Sequence, residues 1–260
     1  KYKERAKLQV RLATVDDVKA LQDLSVRVYP DDSFTEAMIR GQILNFPEGQ
    51  FVVEYEGVIV GHCATFIIDG DICLGPHTWS EITGGGYASR HDPEGDYLYG
   101  MEVCVHPEYR GMRIGSRLYQ QRQVLCQDLN LKGIVFAGRM PGYAKRKKKV
   151  GSPEEYLELV QARKIRDPVL FFQLSNDFEP IGILYNYMHF DFESGGNAVH
   201  MIWRNPLNTD PVVKVKKTRG RLPKSVRVAT VQFQMRKVED ETQFEGQLEY
   251  FIDIASDYSA

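Results

Sequence analysis

The order of apolar and polar positions predicts strands and helices that alternate over the first 204 residues. Residues 8–12 alternate apolar with polar side chains, as a half-buried strand does, and residues 51–68 have the pattern of a hairpin. The apolar stripe of residues 18–28 predicts a helix, which Thr14 and Asp17 cap. The other predicted strands are 98–106, 133–137, 178–184 and 198–203, and the other predicted helices are 35–46, 115–129, 153–164 and 168–176.

Between residues 69 and 96 the pattern is interrupted by a long Gly-rich segment that contains Trp79. Loops of this length inside a compact domain are usually functional or mobile. A lid over an acceptor site and a plain surface excursion are both consistent with this segment.

One junction carries the clearest chemical signal. An apolar strand ends at Pro107, a turn containing Gly111 follows, and an amphipathic helix begins near Gly115. The first backbone N–H groups of a helix have no intrahelical partner, and with the positive end of the helix dipole they bind anions. Arg110 and Arg113 add positive charge. The junction is consistent with a phosphate-binding loop, and an ordinary strand-to-helix turn with exposed arginines is the alternative.

The run from Val105 to Ser116 resembles the acetyl-CoA pyrophosphate loop of the GNAT N-acetyltransferase superfamily. The family pattern is Arg or Gln, two residues, Gly, any residue, then Gly or Ala. Arg110 and Gly115 match it, and Arg113 stands where the middle glycine is expected. The resemblance implies an α/β fold with a mixed, largely antiparallel central sheet flanked by helices, and acetyl-CoA as the cofactor. It assigns the pyrophosphate to Arg110, Gly111, Met112, Arg113, Ile114, Gly115 and Ser116, and the pantetheine to the backbone N–H groups of Val103 and Val105.

Acetyl transfer to an amine also requires a base and a proton donor. Glu102 lies in the strand before the loop, where burial raises the pKa of a carboxyl toward neutrality; a salt-bridged surface carboxylate is the alternative. Tyr99 is the other candidate base. The family's frequent general-acid tyrosine falls at Gln173, so Tyr143 or water is expected to protonate the thiolate. Arg139 and Tyr143 follow the next strand and are predicted to contact the acceptor, with a plain turn as the alternative.

After Trp203 the sequence changes character. Residues 205–224 contain three prolines and six basic residues, which is typical of a linker. The strand and helix predicted after it resemble the opening of a nitrilase-type carbon–nitrogen hydrolase domain, an α/β sandwich. The predicted organisation is a GNAT domain at 1–204, a basic linker at 205–224 and the N-terminal fragment of a nitrilase-like domain at 225–260, within a longer chain.

Composition and charge narrow the possible classes of protein further. The chain is 43% hydrophobic and 26% charged with a net charge of −2, which favours neither nucleic acid nor an anionic membrane. The basic run from Lys145 to Lys149 is typical of a solvated face. No run approaches the roughly 18 apolar residues of a membrane helix, and no apolar signal region follows the first residues, so a cytoplasmic protein is expected.

The cysteines and histidines give no sign of a metal centre. Four cysteines lie far apart along the chain, and the six histidines show no metal-ligand spacing. Neither a disulfide framework nor a metal site is therefore expected.

Three functions fit these patterns. The first is an N-acetyltransferase acting on a small-molecule amine or a lysine side chain. The second is an acyl-CoA-binding regulatory domain, and the third is an accessory part of a carbon–nitrogen hydrolase. The apolar strand at 226–235 also predicts association between copies, because an unpaired strand is a template for pairing.

Overall fold

The computed structural model describes residues 8–209, and within them the chain forms a sheet flanked by helices. Its strands are β1 (Gln9–Leu12), β2 (Gln50–Tyr55), β3 (Val58–Ile68), β4 (Tyr97–Val105), β5 (Gly133–Arg139), β6 (Glu179–Leu184) and β7 (Ala198–Arg204). They lie in the order β1-β2-β3-β4-β5-β7-β6. Only β4 and β5 run parallel among these neighbouring pairs. The mixed, largely antiparallel sheet is the predicted fold.

Helices cover both faces of this sheet. They are α1 (Val18–Val28), α2 (Glu36–Asn45), α3 (Gly70–Cys73), α4 (Trp79–Thr83), α5 (Ile114–Asp128), α6 (Tyr143–Val150), α7 (Pro153–Gln161) and α8 (Pro168–Leu174). The first two pack on one face, whereas α5 and α8 pack on the other. None of the helices in residues 8–209 is long and apolar enough to cross a membrane.

The sheet divides in its middle. β4 pairs with β5 only from Tyr97 to Gly100, opposite Gly133 to Phe136. β4 then continues to Val105, while β5 stays paired with β7 as far as Arg139. The two parallel strands therefore diverge after Gly100 and leave a split.

A bulge in β4 lies at the start of this split. Ala64 pairs with Glu102 and Thr65 with Gly100, so Met101 is an extra residue on β4. The guanidinium of Arg122, on α5, donates hydrogen bonds from one nitrogen to the carbonyl oxygens of Ala64, at 2.8 Å, and Glu102. Arg122 is only 2% exposed, so this buried side chain holds the bulge in place.

Two sequence expectations are corrected here. Residues 69–96 include α3 and α4 and bury Ile82, so the plain surface excursion is wrong, whereas the lid over an acceptor site stays a prediction. The predicted apolar stripe of α5 is partly wrong, because Val124 and Leu129 are exposed. The buried residues of this helix are Ile114, Leu118, Tyr119, Arg122 and Cys126.

The predictions for the C-terminal piece concern residues outside the described range. The linker at 205–224 reaches into it only as far as residue 209, and the strand and helix expected after 225 lie beyond it. The domain boundaries and the association through that strand therefore stay predictions.

Candidate functional site

The loop between β4 and α5 has the geometry of an anion site. Gly111 has a φ of 87°, and Arg113 has φ 60° and ψ 24°, both in the left-handed region. Arg113 is the N-cap, and the first hydrogen bond of the helix joins Arg117 N to Arg113 O at 3.1 Å. The N–H groups of Ile114, Gly115 and Ser116 precede that bond and are directed out of the helix N-terminus.

The glycine at the helix start has a packing role that the sequence did not reveal. A Cβ on Gly115 would lie 2.9 Å from Cζ of Phe172 on α8. Gly115 therefore allows α8 to pack against α5, in addition to leaving the backbone accessible.

The split exposes backbone donors next to this loop. His106 N donates to Val60 O across the β3 side of the strand, at 2.9 Å. Because successive N–H groups of a strand alternate in direction, those of Val103 and Val105 point to the opposite edge, where β5 has diverged. These are the two residues predicted to hold pantetheine.

Glu102 lies on the sheet face covered by α1 and α2. It is 9% exposed, and its Oε2 lies 3.8 Å from Nδ1 of His62 on β3. Burial raises the pKa of Glu102 to about 7 and lowers that of His62 to about 4. Among the described residues, Glu102 Oε1 and His62 Nε2 are buried without a hydrogen-bond partner. Glu102 is therefore buried with a free oxygen, which agrees with the first of the two sequence alternatives and not with the surface carboxylate.

Tyr29 and Cys104 complete the surroundings of Glu102. Burial and the nearby Glu102 raise the pKa of Tyr29, at the end of α1, well above its usual value. Ligand atoms of His62, Glu102 and Cys104 lie within 4.8 Å of one another, a grouping that sequence spacing did not indicate. Burial raises the pKa of Cys104 and keeps the thiol protonated. The thiol of Cys104 and the imidazole of His62 are therefore uncharged polar neighbours of the Glu102 carboxyl.

Tyr99 is fully buried on the same face and belongs to a hydrogen-bonded chain. Its hydroxyl lies 2.9 Å from Nε2 of His77 and 3.0 Å from the hydroxyl of Tyr187. Burial, and then the neighbouring Tyr187, raise the pKa of Tyr99 well above 10. Tyr99 therefore cannot accept a proton as a tyrosinate near neutral pH, although it can pass one on.

The other predicted site residues form ion-pair or core contacts within the protein. Arg139 ends β5 instead of following it, and it donates to both carboxylate oxygens of Asp191 at 2.7 and 2.6 Å. Tyr143 is 1% exposed and packs edge-on against Tyr156, with ring centres 5.6 Å apart, so it forms core rather than pocket wall. Gln173 is buried beneath β5 and beside Gly138.

Sequence reasoning missed the partners of both candidate bases. His62 and Cys104 share the face of Glu102 by the two-residue period of strands, but only the pairing of β3 with β4 reveals it. His77 and Tyr187 lie 22 and 88 residues from Tyr99 and have no local signal.

Comparisons with known proteins agree with this geometry. The sequence model of the "Acetyltransferase (GNAT) family" matches residues 18–146. The uncharacterized N-acetyltransferase YkwB of Bacillus subtilis (strain 168) is 31% identical over 203 residues, covering 76% of this chain and 89% of that protein. The probable hydrolase YhcX of the same organism is 38% identical over 252 residues, covering 96% of this chain. The chain spans only 48% of the length of YhcX.

A solved structure is also similar. It is the GphF GNAT-like decarboxylase in complex with isobutyryl-CoA, with a TM-score of 0.64 and 27% identity. The match covers 75% of this chain and 98% of that one.

Proposed function

The chain belongs to the GNAT acetyltransferase family, and on that premise we propose that it transfers an acetyl group from acetyl-CoA to a primary amine. The observation that carries this proposal is the junction of the split with the phosphate loop. The N–H groups of Val103 and Val105 at the open edge of β4 and those of Ile114, Gly115 and Ser116 at the start of α5 form two sets of donors that a short turn joins. Pantetheine followed by a pyrophosphate has acceptors in the same order.

Glu102 serves this reaction twice. Its carboxylate takes one proton from the ammonium form of the acceptor, and the free nitrogen then attacks the thioester carbonyl. The carbon–sulfur bond breaks, and the leaving sulfur takes that proton from the Glu102 carboxyl. A pKa of about 7 suits a group that must both accept and donate near neutral pH. Glu102 thereby takes over the role of the general-acid tyrosine, whose position in the family pattern is occupied by Gln173. The nitrogen still releases its second proton, which is the net proton of the reaction.

The first prediction concerns the phosphate loop. Changing Arg110 and Arg113 together to glutamine removes two exposed positive charges while keeping the backbone donors. We expect CoA to bind at least about a hundredfold more weakly, because two charge-assisted hydrogen bonds contribute roughly 1.5–3 kcal/mol each. Calorimetry measures the affinity. The matched control changes Lys147 and Lys148 on α6, which are also exposed, and should bind CoA normally. Equal affinity in both variants would place the pyrophosphate elsewhere.

A second candidate reaction is decarboxylation of a carboxyacyl-CoA. The observation that favours it is the 27% identity to the GNAT-like decarboxylase. In this reaction the bond to the carboxylate breaks, carbon dioxide leaves, and the α-carbon takes up a proton. Release of carbon dioxide from malonyl-CoA or methylmalonyl-CoA without any amine would support it. Turnover of acetyl-CoA only when an amine is present would support acetyl transfer.

For the complete protein, we propose that this domain is joined to a carbon–nitrogen hydrolase. The support is the 38% identity to a probable hydrolase twice as long as the matched region. In the alternative form of the proposal, this domain only binds acyl-CoA and regulates that hydrolase. Saturable CoA binding with no turnover across an amine panel would favour the regulatory form.

A further inference from the structure

Three hydrogen bonds in series connect the buried face of the sheet with an open cleft. The Tyr187 and Tyr99 hydroxyls are 3.0 Å apart, and the Tyr99 hydroxyl lies 2.9 Å from Nε2 of His77. Nδ1 of His77 lies 2.8 Å from the carbonyl oxygen of Gly75. Both tyrosines are buried, whereas His77 is half-buried and lines a cleft of about 630 Å³. This hydrogen-bonded chain, from Tyr187 through Tyr99 to His77, therefore extends from the interior to the cleft.

The direction of these bonds follows from the backbone carbonyl at the outer end. A carbonyl oxygen only accepts, so Nδ1 of His77 carries a proton and Nε2 of the neutral ring accepts one. The Tyr99 hydroxyl must then donate to His77, and its oxygen accepts from Tyr187. Every donor points outward. A proton that arrives at the tyrosines can shift along the chain and leave an imidazolium at the cleft.

The split between β4 and β5 lies next to this hydrogen-bonded chain, and in the proposed function it holds the acyl end of CoA. Tyr99 precedes Gly100, the last residue of β4 that pairs with β5, and it lies on the same face as Glu102. Glu102 is committed to the first proton, so the second proton of the nitrogen needs another path. We propose that the Tyr187–Tyr99–His77 chain carries this second proton to solvent, with His77 as its terminal acceptor. The inference rests on the proposed function, since it assigns the net proton of acetyl transfer.

The surroundings of His77 allow its ring to accept a proton transiently. Burial lowers the pKa of His77 below its usual value, so the ring is neutral and ready to accept near pH 7. His200 lies edge-on with its ring centre 5.5 Å away, and its Nε2 donates to the Cys73 carbonyl at 2.9 Å. The pKa of His200 is lowered to about 4, first by burial and then by His77, so it stays neutral and does not compete. The charged residues that line the cleft are Asp71, Glu81 and Arg90.

The test compares two variants of His77 with one variant of Tyr187. His77→Gln keeps an acceptor for the Tyr99 hydroxyl but cannot be protonated, and His77→Ala opens the cleft to added imidazole. We expect both to lower kcat about tenfold to a hundredfold with unchanged CoA affinity and little change in the amine KM. Imidazole should restore the rate of His77→Ala only. Tyr187→Phe, which removes the inner hydroxyl, should lower kcat without imidazole rescue.

A measurement without turnover separates this inference from the proposed function. Nitrogen NMR of the wild-type protein should show His77 protonated at Nδ1 alone, and Tyr99→Phe should move its Nε2 signal. If no amine is acetylated but these signals appear, the proposed function fails and the polarity of the chain still stands. Acetyl transfer that is unaffected by His77→Gln, or a ring protonated at Nε2, would overturn the relay.

Discussion

Glu102→Gln is expected to lower the rate of amine acetylation about a hundred- to a thousandfold while CoA affinity stays unchanged. The amide cannot take the acceptor's proton or return one to sulfur, whereas the backbone donors of the loop and split are untouched. In the wild-type protein the rate should fall as the pH drops through about 7, because the active form of Glu102 is the carboxylate. The variant should lose this limb of its pH profile.

The same substitution gives an independent check on folding. The folded protein raises the pKa of Glu102, so ionisation of this group disfavours the folded state progressively as the pH rises from the unfolded value toward 7 and above. Glu102→Gln removes that penalty and should melt at or above the wild-type temperature at pH 8. The exposed Glu158 on α7 is the matched control, and Glu158→Gln should change neither rate nor profile. A full rate in Glu102→Gln would exclude Glu102 as the base.

Arg122→Met is expected to lower the free energy of unfolding by about 3 kcal/mol, since two buried carbonyl oxygens lose their donor at roughly 1–3 kcal/mol each. For a domain of this size the melting temperature should fall by roughly 6–12 °C. The exposed Arg117 on the same helix is the control, and Arg117→Met should change stability by less than about 0.5 kcal/mol.

Arg122 also links stability to catalysis. Its charge partly offsets the burial of Glu102 and so lowers the pKa of that carboxyl. Without it the pKa of Glu102 should rise, and the acid limb of the pH profile should move to higher pH. Unchanged stability would show that the guanidinium does not hold the bulge, and an acid limb that stays in place would show that it does not act on the Glu102 carboxyl.

Local chemistry explains what the sequence could predict. Thr14 and Asp17 form the expected capping pair, at the 3-10 turn Val15–Asp17 that leads into α1. Thr14 N donates to the Asp17 carboxylate at 2.8 Å, because both partners lie within one turn. The turn after β4 and the helix that follows it were also predicted, because glycine and helix-start signals are local. The burial of Glu102 was one of two alternatives, and the packing of the sheet decides between them.

The features that the sequence did not predict depend on which strands are neighbours in the sheet. Arg122 has the sequence context of a surface residue, and only the bulge beneath it makes a buried guanidinium favourable. Tyr143 follows a strand end, where ligands often bind, but the inserted α7 brings Tyr156 against it and makes it core. Arg139 is similarly neutralised by Asp191, which is 52 residues away.

The left-handed conformation of Arg113 has a consequence for how this protein can vary. Glycine adopts that backbone without strain, whereas a side chain there costs about 1–2 kcal/mol. The chain keeps arginine where the family pattern has glycine, and so gives up folding stability for a charge beside the loop. A single codon change to glycine would reverse the exchange without disturbing the core. An Arg113→Gly variant should therefore unfold at a higher temperature than the wild-type protein and bind CoA more weakly.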